Sequence, residues 1–381
     1  MIAGVTSLNQ PERSALEQDA LERAASQMAV AGIDALLIGP GADLYYLVGY
    51  HALLLERLTL LVVRADGAHG LVVPRLERPR AERSGVADRV AIHDFGETDD
   101  PFALVSRLLD GVPPGATLGA GDRLWAAFLL GLQAARPEAK WTRASAVTRE
   151  LRMRKTPAEI SALRRAGQAI DRVHARIPEF LQPGRTEAEV GRDIANAILS
   201  EGHQEVNFVI VGSGPNGASP HHETGDRVLA KGDPVVVDIG GTLDGYCSDC
   251  TRDYLVGSLA PAGYAEAHVV LEAAQRAACE AVRPGVTAEA VDAAARDVLA
   301  EAGYGEAFVH RTGHGIGLEE HEEPYIVAGN DLVLEQGMVF SIEPGIYLGG
   351  QFGMRVEDIV VVAEAGCERF NQLPRGVVIV P

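Results

Sequence analysis

The sequence is poor in cysteine. Its four cysteines are Cys247, Cys250, Cys279 and Cys367 in a chain of 381 residues. Cys247 and Cys250 form a CxxC pair, but the chain has no second CxxC, which a zinc site built from two such pairs would need. We therefore expect neither a metal nor a disulfide at this pair.

Basic charge and long apolar runs are also scarce. The chain has 34 lysines and arginines against 53 acidic residues, for a net charge of −19. This balance argues against a general binder of nucleic acid or of anionic membranes. No apolar run approaches the roughly 20 residues that span a bilayer, and the N-terminus lacks the pattern of a signal peptide. We expect a cytoplasmic protein with no nucleic-acid or membrane partner.

The composition is that of a folded protein with two domains. Hydrophobic residues make up 47% and charged residues 23% of a chain long enough for two cores. Thr156 is a candidate N-cap, Pro157 suits the first helical position, and Glu159 completes a capping box. Because this helix begins a new pattern, we predict domains over residues 1–152 and 153–381.

The first of these domains has an α/β pattern, in which short apolar segments alternate with helical ones. The predicted strands are Ala35–Ile38, Leu58–Val63, His69–Val73 and Val90–Phe95. The predicted helices are Gln18–Ala31, Pro101–Leu109 and Arg123–Ala135.

The second domain carries an internal repeat with an offset of 101 residues. Gly184 matches Gly285, Thr186 matches Thr287, Val190 matches Val291, Gly202 matches Gly303, and Glu205 matches Glu306. Each copy predicts a turn, a capped helix, another turn and a strand. Two related halves would leave a cleft between them, which is a common place for a functional site.

A predicted β-hairpin in the first copy places two aspartates side by side. The Asp244-Gly245 pair is a strong hairpin-turn signal, and a turn centred there makes Asp249 face Gly240. Asp238 then lies diagonally opposite Asp249 on one face, with Cα atoms roughly 7–8 Å apart. Two ionised carboxylates at this distance repel each other, and a bound cation relieves the repulsion. The alternative is that one aspartate is a surface or turn residue.

Three later segments add candidate metal ligands. They are His314 in a glycine-rich run, Glu343 at a strand end and Glu357 before an apolar run. With Asp238 and Asp249 they form a set of four carboxylates and one imidazole, whose charge two divalent cations would balance. The oxygen-rich set favours manganese, cobalt or iron over a structural zinc. Two such ions roughly 3.5–4 Å apart would lower the pKa of a bridging water.

These motifs resemble those of the pita-bread metallopeptidases, which include prolidases, aminopeptidase P and methionine aminopeptidases. The hairpin aspartates, TGHGIGLEEHEEP, SIEPG and RVED match in order and spacing over about residues 153–381. VGSGPNGASPHH at residues 211–222 is similar to the prolidase and aminopeptidase P branch. ADLYYLVGY at residues 42–50 resembles the creatinase-type N-terminal domain of that branch. The resemblance implies an α/β fold, with this domain followed by a pita-bread domain of pseudo-twofold symmetry.

The resemblance assigns roles to the five ligands of the metal ions. Asp238 would chelate one ion, and Asp249 and Glu357 would bridge both. His314 and Glu343 would complete the coordination of the second ion. The cofactors implied are two divalent ions, with manganese expected first and cobalt or iron as alternatives.

The resemblance also assigns residues to the substrate. His221 would contact the peptide near the scissile bond, although the adjacent His222 is an alternative. His321 would stabilise the tetrahedral intermediate, and Glu343 would shuttle the proton of the bridging water. Two further matches would orient the site, namely Tyr347 and Arg355.

The expected activity is metal-dependent hydrolysis of Xaa-Pro bonds in short peptides, as in Xaa-Pro dipeptidases, by a homodimer. An Xaa-Pro bond has no N–H, and a closed metal cleft does not need one. Some prolidases carry an arginine after the HExP segment, whereas here Tyr325 follows Pro324. Xaa-Pro aminopeptidase activity therefore stays an alternative. The same scaffold could also serve a small-molecule C–N hydrolase or lyase, or a catalytically dead binding module.

Overall fold

The protein is described by a computed structural model over residues 10–381, with side chains from residue 20 onward. The described chain forms two compact units, residues 10–152 and Met153–Pro381. A search of the described helices finds none that combines the length and the apolar character needed to cross a membrane.

The first unit has the predicted α/β pattern. Its helices are α1 (Gln10–Ala31), α2 (Ala42–Val48), α3 (Arg78–Arg83), α4 (Pro101–Leu108), α5 (Ala126–Ala135) and α6 (Ser145–Met153). Its strands are β1 (Ala35–Ile38), β2 (Leu60–Arg64), β3 (Gly70–Pro74), β4 (Ala91–Phe95), β5 (Thr117–Ala120) and β6 (Lys140–Arg143). They form one six-stranded sheet in the order β4-β3-β2-β1-β5-β6. Helix α1 begins at Gln10 rather than at the predicted Gln18, and Pro11 at its start suits the first turn of a helix.

The second unit is a mixed α/β domain. Its helices are α7 (Pro157–Phe180), α8 (Glu187–Ser200), α9 (Tyr264–Ala281) and α10 (Ala288–Glu301). Its strands are β7 (Glu205–Ser213), β8 (Pro234–Leu243), β9 (Tyr246–Val256), β10 (Gly313–Gly315), β11 (Glu322–Ile326), β12 (Val339–Ile342), β13 (Gly345–Leu348), β14 (Phe352–Arg355), β15 (Asp358–Ala363), β16 (Gly366–Arg369) and β17 (Val378–Val380). One sheet has the order β17-β9-β8-β7, a second has the order β11-β10-β12-β15-β16, and β13 and β14 form a hairpin.

Helix capping follows the predicted pattern in the first repeat copy and differs in the second. Thr156 and Thr186 both form complete capping boxes at the starts of α7 and α8. Thr287 is the N-cap of α10, but its side chain makes no capping hydrogen bond. Ala290 stands at the third helical position there, so the reciprocal carboxylate of a capping box is missing.

The internal repeat is confirmed by equivalent contacts in the two halves. Gly184 N–H donates to the Leu229 carbonyl and Gly285 N–H donates to the Leu334 carbonyl, each with a donor–acceptor distance of 2.9 Å. Both glycines have positive φ, at 91° and 89°, a conformation that glycine adopts without steric cost. Helices α7 and α8 pack on the first sheet, while α9 and α10 pack on the second, each pair around its own apolar core.

The second copy departs from the prediction at Glu306. This residue lies in a 3-10 turn, Gly305–Ala307, and no strand begins before β10. Arg296 of α10 explains the difference, because its guanidinium donates to the carbonyls of Phe308 at 3.2 Å and His310 at 2.9 Å. A side chain thus satisfies backbone groups that would otherwise require a neighbouring strand.

The predicted hairpin is present with the predicted register. Asp249 on β9 pairs with Gly240 on β8. Asp244 and Gly245 at the turn have φ values of 53° and 83°, as a type I′ turn requires. Strand β8 continues well beyond Asp238 to Leu243, so this aspartate lies inside the ladder and not at its end.

Candidate metal centre and active site

The five predicted ligands line one cavity of about 670 Å³ in the second unit. Asp238 lies on β8, Asp249 on β9 and His314 on β10, while Glu343 follows β12 and Glu357 precedes β15. The cavity therefore receives side chains from both halves of the repeat. The fold brings together every candidate ligand that the sequence indicates.

A compact triad forms the centre of this set. Ligand atoms of Asp249, His314 and Glu357 lie within 4.8 Å of one another, and all three residues are buried. His314 Nε2 is 3.7 Å from Asp249 Oδ2 and 3.2 Å from Glu343 Oε1. Carboxylate and imidazole groups converging at this spacing match the donor set of a divalent transition-metal ion.

Three carboxylate oxygens in the cavity are left without partners. Asp238 Oδ1, Asp249 Oδ1 and Glu357 Oε1 are buried and have no hydrogen-bond partner among the residues that the structure describes. Burial, and then the charge of neighbouring carboxylates, raises the pKa of both Asp249 and Glu357 well above the ordinary values. Buried, unpaired carboxylate oxygens carry a large energetic cost unless a cation binds them. These residues therefore fit bound divalent cations.

Hydrogen bonds orient the imidazole ligand. His314 Nδ1 lies 3.1 Å from the carbonyl of Gly315, which can only accept, so Nδ1 carries the proton and Nε2 faces the carboxylates. Ser341 Oγ accepts a hydrogen bond from the His314 backbone N–H and donates one to Glu343 Oε1, each with a donor–acceptor distance of 3.0 Å. Burial alone would raise the pKa of Glu343, but its contact with His314 outweighs burial and lowers the pKa to about 2.

Arg355 connects the ligands on the other side of the cavity. Its guanidinium donates to Asp238 Oδ2, to Thr251 Oγ1 at 3.1 Å and to the Tyr347 hydroxyl at 2.7 Å. Thr251 Oγ1 in turn donates to Glu357 Oε2 at a distance of 2.7 Å. Tyr347 and Arg355 are both buried, so this network holds two carboxylates in place from behind.

The two histidines predicted to contact substrate, His221 and His321, lie in the cavity wall, and both are exposed. The ring of His321 is 4.0 Å from that of His314 and tilted by 62°. Partial burial, and then the proximity of His314 and Arg311, lowers the pKa of His321 to about 4. The His222 ring also lines the cavity, but its Nε2 lies 2.8 Å from Oε2 of the buried Glu187.

Two residues of the network were missed as site residues in the sequence. Thr251 lies two positions after Asp249 on the same strand, and this alternation could have identified it. His310 was seen only as part of the glycine-rich run. Its Nε2 accepts a hydrogen bond from the Tyr347 hydroxyl at a distance of 2.8 Å, while its Nδ1 donates to the Arg311 carbonyl. The contact with Tyr347 spans 37 positions, and no local pattern predicts it.

Comparisons with known proteins extend over both units. Residues 161–364 match metallopeptidase family M24, and residues 21–154 match the creatinase/prolidase N-terminal domain. The chain is 56% identical over 363 residues to the probable dipeptidase PepE of Mycobacterium tuberculosis, covering 95% of this chain and 96% of that protein.

Two solved structures have closely similar folds. The dipeptidase PepE of Mycobacterium ulcerans superposes with a TM-score of 0.92 at 54% identity, covering 97% of this chain and 99% of the other. A recombinant prolidase of Thermococcus sibiricus superposes with a TM-score of 0.90 at 35% identity, covering 95% of this chain and 99% of the other. Both similarities therefore extend over nearly the whole chain.

Proposed function

The chain belongs to metallopeptidase family M24, as a peptidase of the dipeptidase and prolidase type, and we propose that it cleaves Xaa-Pro dipeptides. We further propose that two divalent cations occupy the cavity, with manganese first and cobalt or iron as alternatives. The observation that carries this proposal is the group of three buried carboxylate oxygens without partners. Two cations would balance the charge of the four carboxylates and satisfy these oxygens.

The five ligands named above would hold the ions. Bound divalent cations supply electrophilic charge and lower the pKa of water, which hydrolysis of an amide requires at neutral pH. Glu343 would accept the proton of the attacking water on its Oε2, because Ser341 already occupies Oε1. The same carboxylate would then pass the proton to the leaving nitrogen.

The histidines of the cavity wall would act on the substrate carbonyl. His321 is neutral at pH 7, since its pKa is lowered to about 4, and a neutral imidazole retains one N–H to donate. His221 would provide a second contact from its own part of the wall. Donors aimed at the developing oxyanion stabilise the transition state more than the ground state.

Proline at the second position suits this cavity. The bond before proline is a tertiary amide, so a site that recognises the substrate by its carbonyl loses nothing from the missing N–H. The names of the relatives, dipeptidase and prolidase, support short substrates of this type.

A panel of peptides with added manganese tests the proposed activity. We expect hydrolysis of Xaa-Pro dipeptides and much slower hydrolysis of the matched Xaa-Ala dipeptides, measured as released amino acid. Equal rates on the two series would contradict the Xaa-Pro specificity, and no hydrolysis of either would contradict the peptidase activity.

Metal removal should lower the melting temperature. Ligands that bind only the native state stabilise it, by about 4 kcal/mol when the free ligand is about 1,000 times its dissociation constant. In the metal-free protein the raised pKa values of Asp249 and Glu357 add a pH dependence. The two carboxyl groups contribute their full stabilisation of the folded state at pH values below their pKa values in the unfolded chain, which are 3.8 for Asp249 and 4.5 for Glu357. This contribution is lost as the pH rises through the higher pKa values of the folded state.

We therefore expect calorimetry to show that the melting temperature of the metal-free protein falls as the pH rises from about 5 to 8. The melting temperature of the manganese-loaded protein should fall less over the same pH range. Identical melting curves after verified metal removal would contradict a buried metal cluster.

Three predictions from the sequence remain to be tested. We propose that the domain boundary lies at residues 152 and 153, that the protein is a homodimer, and that it is cytoplasmic. Size-exclusion chromatography with light scattering tests the second of these.

A further inference from the structure

Two of the four cysteines, Cys279 and Cys367, meet although they lie 88 positions apart in the chain. Cys279 is buried near the end of α9, and the half-buried Cys367 lies on β16, an edge strand of the second sheet. The Cys367 thiol donates to the Cys279 carbonyl at 3.2 Å, and the two thiols also share a hydrogen bond. The two sulfur atoms are therefore neighbours, and they lie outside the cavity of the candidate metal centre.

Two arginines lie beside this pair, and one buried carboxylate holds both of them. The Arg375 guanidinium donates to Cys279 Sγ at 3.5 Å and to Asp358 Oδ2 at 2.8 Å. Arg369, two residues after Cys367 on β16, donates to the same oxygen of Asp358 at 3.0 Å. Positive charge beside a thiol favours the thiolate, which is the nucleophilic form of cysteine.

The two thiols differ in acidity and in access to solvent. The hydrogen bond from Cys279 lowers the pKa of Cys367, and the charges of Arg375 and Arg369 lower it further against the effect of burial. The same hydrogen bond, and then burial, raises the pKa of Cys279. The more acidic thiol is thus the one that solvent reaches, with a second thiol behind it. Peroxides oxidise thiols most readily in this arrangement.

The other two cysteines have none of these properties. Cys247 and Cys250 are three residues apart on β9, so their side chains point to opposite faces of the strand. Cys247 contacts the Asn207 amide, and Cys250 donates to the Glu357 carbonyl. Burial raises the pKa of Cys247 to about 12 and that of Cys250 well above its ordinary value. Both therefore stay protonated near neutral pH and serve as an internal control for thiol oxidation.

We propose that Cys279 and Cys367 form a redox modification site, at which hydrogen peroxide converts the two thiols into a disulfide. The Cys367 thiolate attacks one peroxide oxygen, so an S–O bond forms, the O–O bond breaks, and the leaving oxygen takes up the proton of the thiol to become water. The Cys279 thiol then displaces the sulfenic oxygen, so an S–S bond forms, the S–O bond breaks, and a second water leaves. Two thiols are oxidised, and one peroxide is reduced to two waters.

This disulfide would close a loop that contains three of the five candidate metal ligands. His314, Glu343 and Glu357 all lie between the two cysteines in the sequence. A crosslink restricts the unfolded chain, and the resulting stabilisation grows with the length of the closed loop. Oxidation should therefore hold the segment that carries these ligands in its folded form and raise the melting temperature.

Peptide mapping of the peroxide-treated protein tests the site. Mass spectrometry of a non-reducing digest should show the peptides of Cys279 and Cys367 joined, with two hydrogen atoms fewer than the reduced pair. Dithiothreitol should reverse the crosslink, and Cys247 and Cys250 should remain thiols. Oxidation of Cys247 or Cys250 ahead of the pair, oxidation of Cys367 to a sulfinic acid without a crosslink, or four unreacted thiols would each overturn the proposal.

Single variants test the order of the two steps. Cys279→Ser should leave Cys367 as a sulfenic acid that dimedone traps, because the resolving thiol is missing. Cys367→Ser should leave Cys279 largely unoxidised. The matched control Cys247→Ser should form the crosslink at the wild-type rate. Trapping of Cys279 in Cys367→Ser at the rate seen for Cys367 would overturn the assignment of Cys367 as the attacking thiol.

The melting temperature reports the effect of the crosslink on the fold. The oxidised wild-type protein should melt roughly 5–10 °C above the reduced protein, and peroxide treatment of Cys367→Ser should produce no such rise. The rise should appear with and without manganese, so it does not depend on the proposed peptidase function. A crosslinked protein that melts at or below the temperature of the reduced protein would overturn the proposed restraint on the ligand-bearing segment.

Discussion

We expect His314→Ala to lose bound metal and peptidase activity together. His314 Nε2 lies within 3.7 Å of both Asp249 and Glu343, and the imidazole is the only nitrogen donor of the compact ligand triad in the described chain. Alanine provides no donor atom, and the buried carboxylates then face each other with one cation poorly held. Elemental analysis after dialysis, together with the rate on an Xaa-Pro dipeptide, measures both losses.

A matched control and a second ligand variant sharpen this test. His93→Ala makes the same change on β4 of the first unit and should keep metal and activity. Asp249→Asn removes one buried charge at constant size and should also lose metal. Because the carboxylates repel in the absence of metal, Asp249→Asn should raise the melting temperature of the metal-free protein. A fully loaded and active His314→Ala enzyme would refute the proposed centre.

The sequence predicted best what is determined locally. The placement of Asp238 and Asp249 on one face follows from a two-residue turn and the alternation of a strand, and the structure has this register. Likewise, the start of α7 follows from the capping box at Thr156. These features depend on neighbours in sequence, so pattern and turn chemistry are sufficient to predict them.

Contacts between distant segments could not be derived in this way. His314 and Glu357 meet Asp249 only because the two sheets of the second unit converge, and their grouping in the sequence came from charge balance and family resemblance. The strand predicted around Glu306 was wrong because Arg296 satisfies the backbone there. Side-chain to backbone bonds of this kind leave no periodic signal in the sequence.

We expect His321→Ala to lower kcat by about 10²–10³-fold, the range for loss of one oxyanion donor. His321 is exposed in the cavity wall and is not part of the buried ligand triad. The metal content should therefore stay near that of the wild-type enzyme, and so should the melting temperature. His321→Gln keeps an N–H donor on a side chain of similar reach, and it should recover part of the lost rate.

The comparison of the two neighbouring histidines separates catalysis from metal binding. The ring centroids of His314 and His321 are only 4.0 Å apart, yet their alanine variants should behave differently. Both variants should lose activity, but only His314→Ala should lose bound metal. Because the pKa of His321 is lowered to about 4, the ring is neutral from pH 6 to 8, and the loss in His321→Ala should be constant over that range. A loss that varies steeply with pH would indicate proton transfer by His321 instead. A folded, metal-loaded His321→Ala enzyme with wild-type kcat would exclude the proposed donor role, because an interaction made in the transition state cannot be removed without slowing that step.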